Sequence, residues 1–170
     1  MQVQVSVSNI VKQSDLQAIV NSANANLRLG SGVAGAIHAA AGHDLEQYCA
    51  QFAPLPLGQA IITPAFNLPN EFVIHIRAAN YMLDDNAETV LYECLTAVFT
   101  LAKQHKIVSL AMPAIGTGVF KFPIELCATV TAQAIKDSPC EQLELIRICV
   151  VDEATKSAFE SALAFAGLLP

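Results

Sequence analysis

Two glycine-bearing stretches are the parts of this sequence best equipped for chemistry. The first runs Asn21-Ser22-Ala23-Asn24-Ala25-Asn26-Leu27-Arg28-Leu29-Gly30-Ser31-Gly32-Val33-Ala34-Gly35, and the second Pro113-Ala114-Ile115-Gly116-Thr117-Gly118-Val119-Phe120. Each follows a short apolar segment and opens a helical pattern. Glycine lets the main chain approach a ligand closely, and the first N–H groups of a helix lack partners and attract anions. Set side by side at the carboxyl ends of strands, two such loops would hold the phosphates of a diphosphate from both flanks. A lone glycine loop is adequately explained as a turn. The pair, with its Asn-rich lead-in, favours a ligand.

Gly30-Ser31-Gly32-Val33-Ala34-Gly35 is also a literal GxGxxG, so a Rossmann-type NAD-dependent oxidoreductase is a remote alternative. Its context is poor. Nine residues separate Val20 from Gly30, and no acid lies near position 55, where a ribose-binding carboxylate is expected. Asp44 and Glu46 come too early, and neither loop is followed by the Lys-Ser/Thr of a P-loop.

Other reactive side chains have structural readings. His38 is expected to be a satisfied packing residue and His75 a core histidine, while His43 and His105 are expected in solvent. Asp84-Asp85 is too isolated for a metal site, and no metal or cofactor is expected. Phe66, Tyr81 and Tyr92 read as packing residues, with Tyr81 left open because it lies in a loop. The five cysteines are odd in number and form no CxxC. They read as buried free thiols in a reducing compartment, which places the protein in the cytoplasm.

The elements that must position these loops alternate in period. Gln2–Val7 reads as an edge strand, and Ala18-Ile19-Val20 as a buried strand ending at Asn21. A small-residue helix is expected over Ser31–Ala41, stopped by Gly42. A second, capped by Asp44, should run through Gln51. Strands at Gln59–Thr63 and Phe72–Ile76 precede a long helix over Ala87–Lys103, with Leu91, Leu95, Val98 and Ala102 on one face. A strand at Val108–Met112, a helix at Pro123–Lys136 and a strand at Leu143–Val151 follow, and a helix over Glu153–Ala166 capped by Asp152 closes the chain. Strands alternating with helices, some apolar on both faces, predict a three-layer α/β/α sandwich in one domain over residues 1–170.

Composition agrees. Hydrophobic types supply 54% of the 170 residues and charged types only 14%, against about 25% in ordinary domains, which excludes a disordered chain. Nine basic against fifteen acidic residues leave a net charge of −6. No Lys/Arg cluster forms the stripe that a nucleic-acid backbone requires, so no nucleic-acid partner is expected. No apolar run is long enough to span a membrane, and Met1–Val5 lacks the features of an export signal.

Asn21-Ser22-Ala23-Asn24, Gly30–His38 and Ala40-Ala41-Gly42 together resemble the first signature of the macro domain family. Val73-Ile74-His75 is similar to its central strand, and Ser109–Phe120 with Phe122-Pro123 to its second signature. The similarity runs from about Val7 to Leu163 in the family's order and spacing. It implies a mixed central sheet and a cleft for ADP-ribose or a related nucleotide, free or as mono-ADP-ribosylated protein. By this resemblance Gly32, Val33 and Ala34 contact one phosphate and the distal-ribose side, with Gly30 and Ser31 also among the ligand-binding residues. Ile115, Gly116, Thr117, Gly118, Val119 and Phe120 wrap the other phosphate and that ribose, with Ala114 also ligand-binding. Ala23 and Asn24 face the distal ribose, and Asn9 and Ile10 the adenine, with Val151 covering it.

Four positions depart from the family pattern. Asn9 replaces an Asp that accepts from the adenine amino group, so the side-chain oxygen of Asn9 is expected to accept without charge. Val151 replaces a stacking aromatic ring. Ala34 stands where hydrolytic members carry Asp, and Leu29 where some carry His. A general base contributes about 10²–10⁴-fold, and neither side chain can serve as one. The expectation is therefore a binder. The alternative is a weak hydrolase of ADP-ribosyl esters, ADP-ribose 1″-phosphate (Appr-1″-p processing) or O-acetyl-ADP-ribose, with Asn24 as the residue that positions water.

Overall fold

The computed structural model describes residues 1–138 and 140–170. Six strands form one sheet: β1 (Gln2–Val7), β2 (Ala18–Ser22), β3 (Ala60–Pro64), β4 (Phe72–Ile76), β5 (Ser109–Pro113) and β6 (Leu145–Val150). Their spatial order is β1-β6-β5-β2-β4-β3, parallel throughout except for the β4–β3 pair. Five α-helices accompany them: α1 (Gly32–Ala41), α2 (His43–Cys49), α3 (Ala87–Gln104), α4 (Ile124–Lys136) and α5 (Glu153–Phe165).

The period-two alternation of strand side chains sorts the core into two layers. Val20, Ile74, Leu110, Met112, Ile146 and Ile148 join Leu91, Leu95, Phe99 and Phe159 of α3 and α5 on one face. Ile19, Val73 and Ala111 join Ile37, Leu45 and Cys49 of α1 and α2 on the other. The three-layer sandwich and its mixed sheet follow from this double coverage. Leu91, Leu95, Val98 and Ala102 are all fully buried, as the periodicity of α3 demands.

Several local expectations change. Gly42 (φ +91°), rather than Asp44, precedes α2, and Asp44 sits in its first turn. The helix stops at Cys49 and continues as a short 3₁₀ turn over Ala50–Phe52, short of the expected continuous run through Gln51. Val108 is 41% exposed and β5 begins one residue later. Asp152 does cap α5, its carboxylate accepting from the Thr155 N–H at 2.8 Å. All five cysteines are free and buried. Among the described residues no helix is long and apolar enough to cross a membrane.

Candidate functional site

A cleft of about 870 Å³ opens across the carboxyl ends of β1, β6, β5 and β2. Four adjacent strands at about 4.8 Å spacing give it a length near ~14 Å at its floor. The loop after β2 and the start of α1 form one wall, and the loop after β5 forms the other.

The first loop is held by its own asparagine. Asn24 Oδ1 accepts from the Arg28 N–H at 3.0 Å, and Asn24 Nδ2 donates to the Arg28 carbonyl at 2.7 Å. Leu27, fully buried at φ +56°, plugs the loop into the core beneath α1. The carbonyl of Gly30 then lies where a Cβ on Gly35 would be, so the return of the loop onto α1 requires glycine at position 35. Ser31 precedes α1 but its side chain caps nothing. The N–H groups of Gly32, Val33 and Ala34 consequently have no acceptor among the described residues, and the positive end of the helix dipole faces the cleft.

The second loop closes on itself in a similar way. Thr117 donates to the Ala114 carbonyl through both N–H (3.3 Å) and Oγ1 (2.8 Å), and the Phe122 N–H donates to Gly116 at 2.9 Å. Gly116 takes φ +80° with the Phe122 ring packed where its side chain would project. The N–H groups of Gly118, Val119 and Phe120 are left without acceptors among the described residues. Two sets of open main-chain donors thus border one cavity.

Of the residues singled out in the sequence, Asn9, Ile10, Ala23, Asn24, Gly30, Ser31, Gly32, Val33, Ala34, Ala114, Gly116, Thr117, Gly118, Val119, Phe120 and Val151 line this cleft. Ile115 does not. Its side chain is buried in the core, and its carbonyl accepts from the Cys127 thiol at 3.2 Å. Asn24 is committed on both faces to Arg28, so it acts first as the brace of its loop. The Asn9 oxygen assigned to a base amino group already accepts from the Val11 N–H at 3.1 Å, capping a 3₁₀ turn over Ile10–Lys12. Val151 is 88% exposed and stands at the lip. Leu29 is exposed and the Tyr81 ring lies tilted against Phe122 with centroids 5.1 Å apart; neither lines the cavity.

Also lining the cleft are Ser22 and Pro113, which belong to the two loops singled out in the sequence, and Val7, Ser8, Ala36, Cys149, Val150 and Thr155, which sequence reasoning missed. Most stand at strand carboxyl ends, and the rule that α/β ligands lie there was the available signal. Among the described residues the lining carries no Asp, Glu, Lys, Arg or His. Its titratable side chain is the Cys149 thiol, which burial pushes up and so keeps neutral.

Directly behind α1 lies a buried polar group that the cleft does not use. His75 Nδ1 accepts from Asn21 Nδ2 at 3.0 Å, and His75 Nε2 pairs with Thr63 Oγ1 at 3.0 Å. His75 is a core histidine, as its strand position implied, and burial brings its pKa down to about 3. His38 is not the satisfied residue expected: it is buried, and neither ring nitrogen has a protein partner among the described residues. The Asp84-Asp85 pair forms no metal cluster among those residues; Asp84 instead accepts from the Asn80 N–H at 2.8 Å.

The GxGxxG alternative fails on geometry. β2 ends at Ser22 and α1 starts at Gly32, so the tight strand–turn–helix of a dinucleotide fingerprint is absent.

Comparison with known proteins gives a consistent picture. A family model described as "Macro domain" matches residues 20–131. A macro domain-containing protein of Ralstonia nicotianae is 37% identical over 147 residues, covering 86% of this chain and 85% of the relative. The ADP-ribose glycohydrolase MACROD2 of Xenopus laevis is 36% identical over 129 residues, covering 75% of this chain and 31% of that protein. The Oceanobacillus iheyensis macrodomain, solved with ADP, superposes with a TM-score of 0.90 at 32% identity, covering 96% of this chain and 90% of that chain. A mutant of that macrodomain, solved with ADPR, gives 0.89 at 32% identity, covering 96% and 92%.

Proposed function

The chain belongs to the macro domain family, and from that premise we propose that it binds ADP-ribose, free or attached to protein, in the cleft between its two glycine loops. The observation that carries this reading is the pair of facing, unpartnered N–H sets, Gly32–Ala34 and Gly118–Phe120, across one cavity. Hydrogen bonds to a charged acceptor are worth about 1.5–3 kcal/mol each, so a few such donors hold a diphosphate without a cationic side chain. The apolar end under β1 and β6 suits a base. The end beside Asn24 suits a ribose. The net charge of −6 opposes this only weakly, since exposed charges more than about 10 Å away are screened.

Binding is favoured over turnover. Ala34 and Leu29 supply no general base, and among the described residues no carboxylate or imidazole lines the cleft. The similarity to a named glycohydrolase favours a second reading, a slow hydrolase in which Asn24 orients water. Calorimetry with ADP-ribose is expected to show one site. Gly32→Glu, which sets a carboxylate at the start of α1, is expected to abolish it. No heat and no thermal shift at millimolar ADP-ribose would refute the proposal. Release of label from a mono-ADP-ribosylated protein, run beside the titration, separates binder from hydrolase.

A further inference from the structure

We infer that Gln13, which does not itself line the cleft, is the positioning residue that holds the wall after β1 in place for the ligand. This deepens the ADP-ribose reading and rests on it.

That wall is the turn following β1, where Ser8, Asn9 and Ile10 line the cavity. The two donor sets follow β2 and β5, and the cavity runs on past them over the ends of β6 and β1. A molecule held between the loops by a central diphosphate therefore lays one of its two end groups along Ser8–Ile10, whichever way round it enters. The 3₁₀ turn over Ile10–Lys12 has only three residues, and so short a turn is weakly held by its own bonds.

Gln13 follows this turn and is only 4% exposed. Its main chain is fixed by Asn70, whose Nδ2 donates to the Gln13 carbonyl at 2.8 Å. Its side chain reaches back over the turn: Nε2 donates to the Asn9 carbonyl at 2.8 Å and lies 3.4 Å from Ser8 Oγ. Arg147 Nη1 donates to Gln13 Oε1 at 2.8 Å. A guanidinium only donates, so the amide oxygen must face Arg147 and the amide nitrogen must face Asn9. Arg147 is itself gripped by both carboxylate oxygens of Asp15, at 2.8 and 2.9 Å. It stands on β6 in register with Gln4 of β1 and Ala111 of β5. One buried amide thus ties the wall to an interior strand of the sheet. Without that tie the wall has to be ordered at the moment of binding, which costs affinity.

The test compares the wild type with Gln13→Glu, whose carboxylate keeps an acceptor for Arg147 but cannot donate to Asn9, and with Gln13→Leu, which keeps neither bond. The two variants differ in charge and share the lost donor. Calorimetry with ADP-ribose should show each binding about tenfold more weakly than the wild type. Hydrogen exchange followed by NMR should quicken in both at Val11 and Lys12, whose N–H groups bond Asn9. In Gln13→Glu it should keep the wild-type rate at Ile146 and Ile148 of β6. Wild-type affinity in either variant, or weaker binding without faster exchange at Val11 and Lys12, overturns the inference and leaves the ADP-ribose reading intact. So does equally faster exchange at Ile146 and Ile148 in Gln13→Glu, the mark of a general loss of stability. Absence of heat with the wild type overturns both.

Discussion

Acidification should strip stability from the buried polar group behind α1, by an amount that can be worked out in advance. Burial, with His38 close by, depresses the His75 pKa from 6.5 to about 3. Below pH 6.5 the unfolded chain takes up a proton that the folded chain refuses until about pH 3. Stability from this residue is therefore complete above pH 6.5 and is lost as pH falls from there toward 3. Each pH unit in that window is worth about 1.4 kcal/mol. At pH 5.0, a unit and a half below the unfolded value, His75 alone removes about 2 kcal/mol. His38, depressed in the same direction by burial, adds to the loss. The chain has no tryptophan, so urea unfolding would be followed by circular dichroism at pH 7.5 and 5.0, in wild type and in His75→Gln. The wild type should lose about 2 kcal/mol more than the variant between the two conditions. Proton NMR should show the His75 ring still neutral at pH 5.0. Equal losses, or a His75 resonance titrating near pH 6.5, would refute the reasoning.

Further predictions concern the loops and the helix beneath them. Gly35→Ala would push its Cβ into the Gly30 carbonyl, displacing the first loop; ADP-ribose affinity by calorimetry should fall at least about tenfold, roughly one hydrogen bond's worth. Gly118→Ala meets nothing within 4 Å, and its melting temperature should stay at the wild-type value. Gly116→Ala combines φ +80° with a Cβ 2.8 Å from Phe122 Cδ2, and chemical unfolding should show a loss of about 1–3 kcal/mol. His38→Leu removes two buried nitrogens that lack partners, and should leave the urea midpoint equal or higher, by up to about 1 kcal/mol.

Much of the fold was legible because its signals are local. The alternation of Gln2–Val7 placed an edge strand, and β1 does end the sheet. The alternating four- and three-residue spacing of Leu91, Leu95, Val98 and Ala102 predicted the buried face of α3. Misreadings arose where a competing partner lay elsewhere. Asp44 has the chemistry of a cap, but Gly42 had already turned the chain with a positive φ. Ile115 sits among the glycines of the second loop, yet an isoleucine gains about 1.5–3 kcal/mol from the core over a solvent-exposed position.

Residue types and their order determined by themselves that two main-chain loops would open helices after buried strands, because glycine freedom and the unpaired N–H groups of a helix start are local properties. Tertiary structure alone decided that the loops meet. β2 and β5 are neighbours in space though about ninety residues apart in sequence, and β1 and β6 close one end of the cleft from opposite ends of the chain. Tertiary structure also decided which atoms of Asn9 and Asn24 remain free. An amide can give or take a hydrogen bond, and only the folded surroundings, through Val11 and Arg28, say which of its atoms are already engaged.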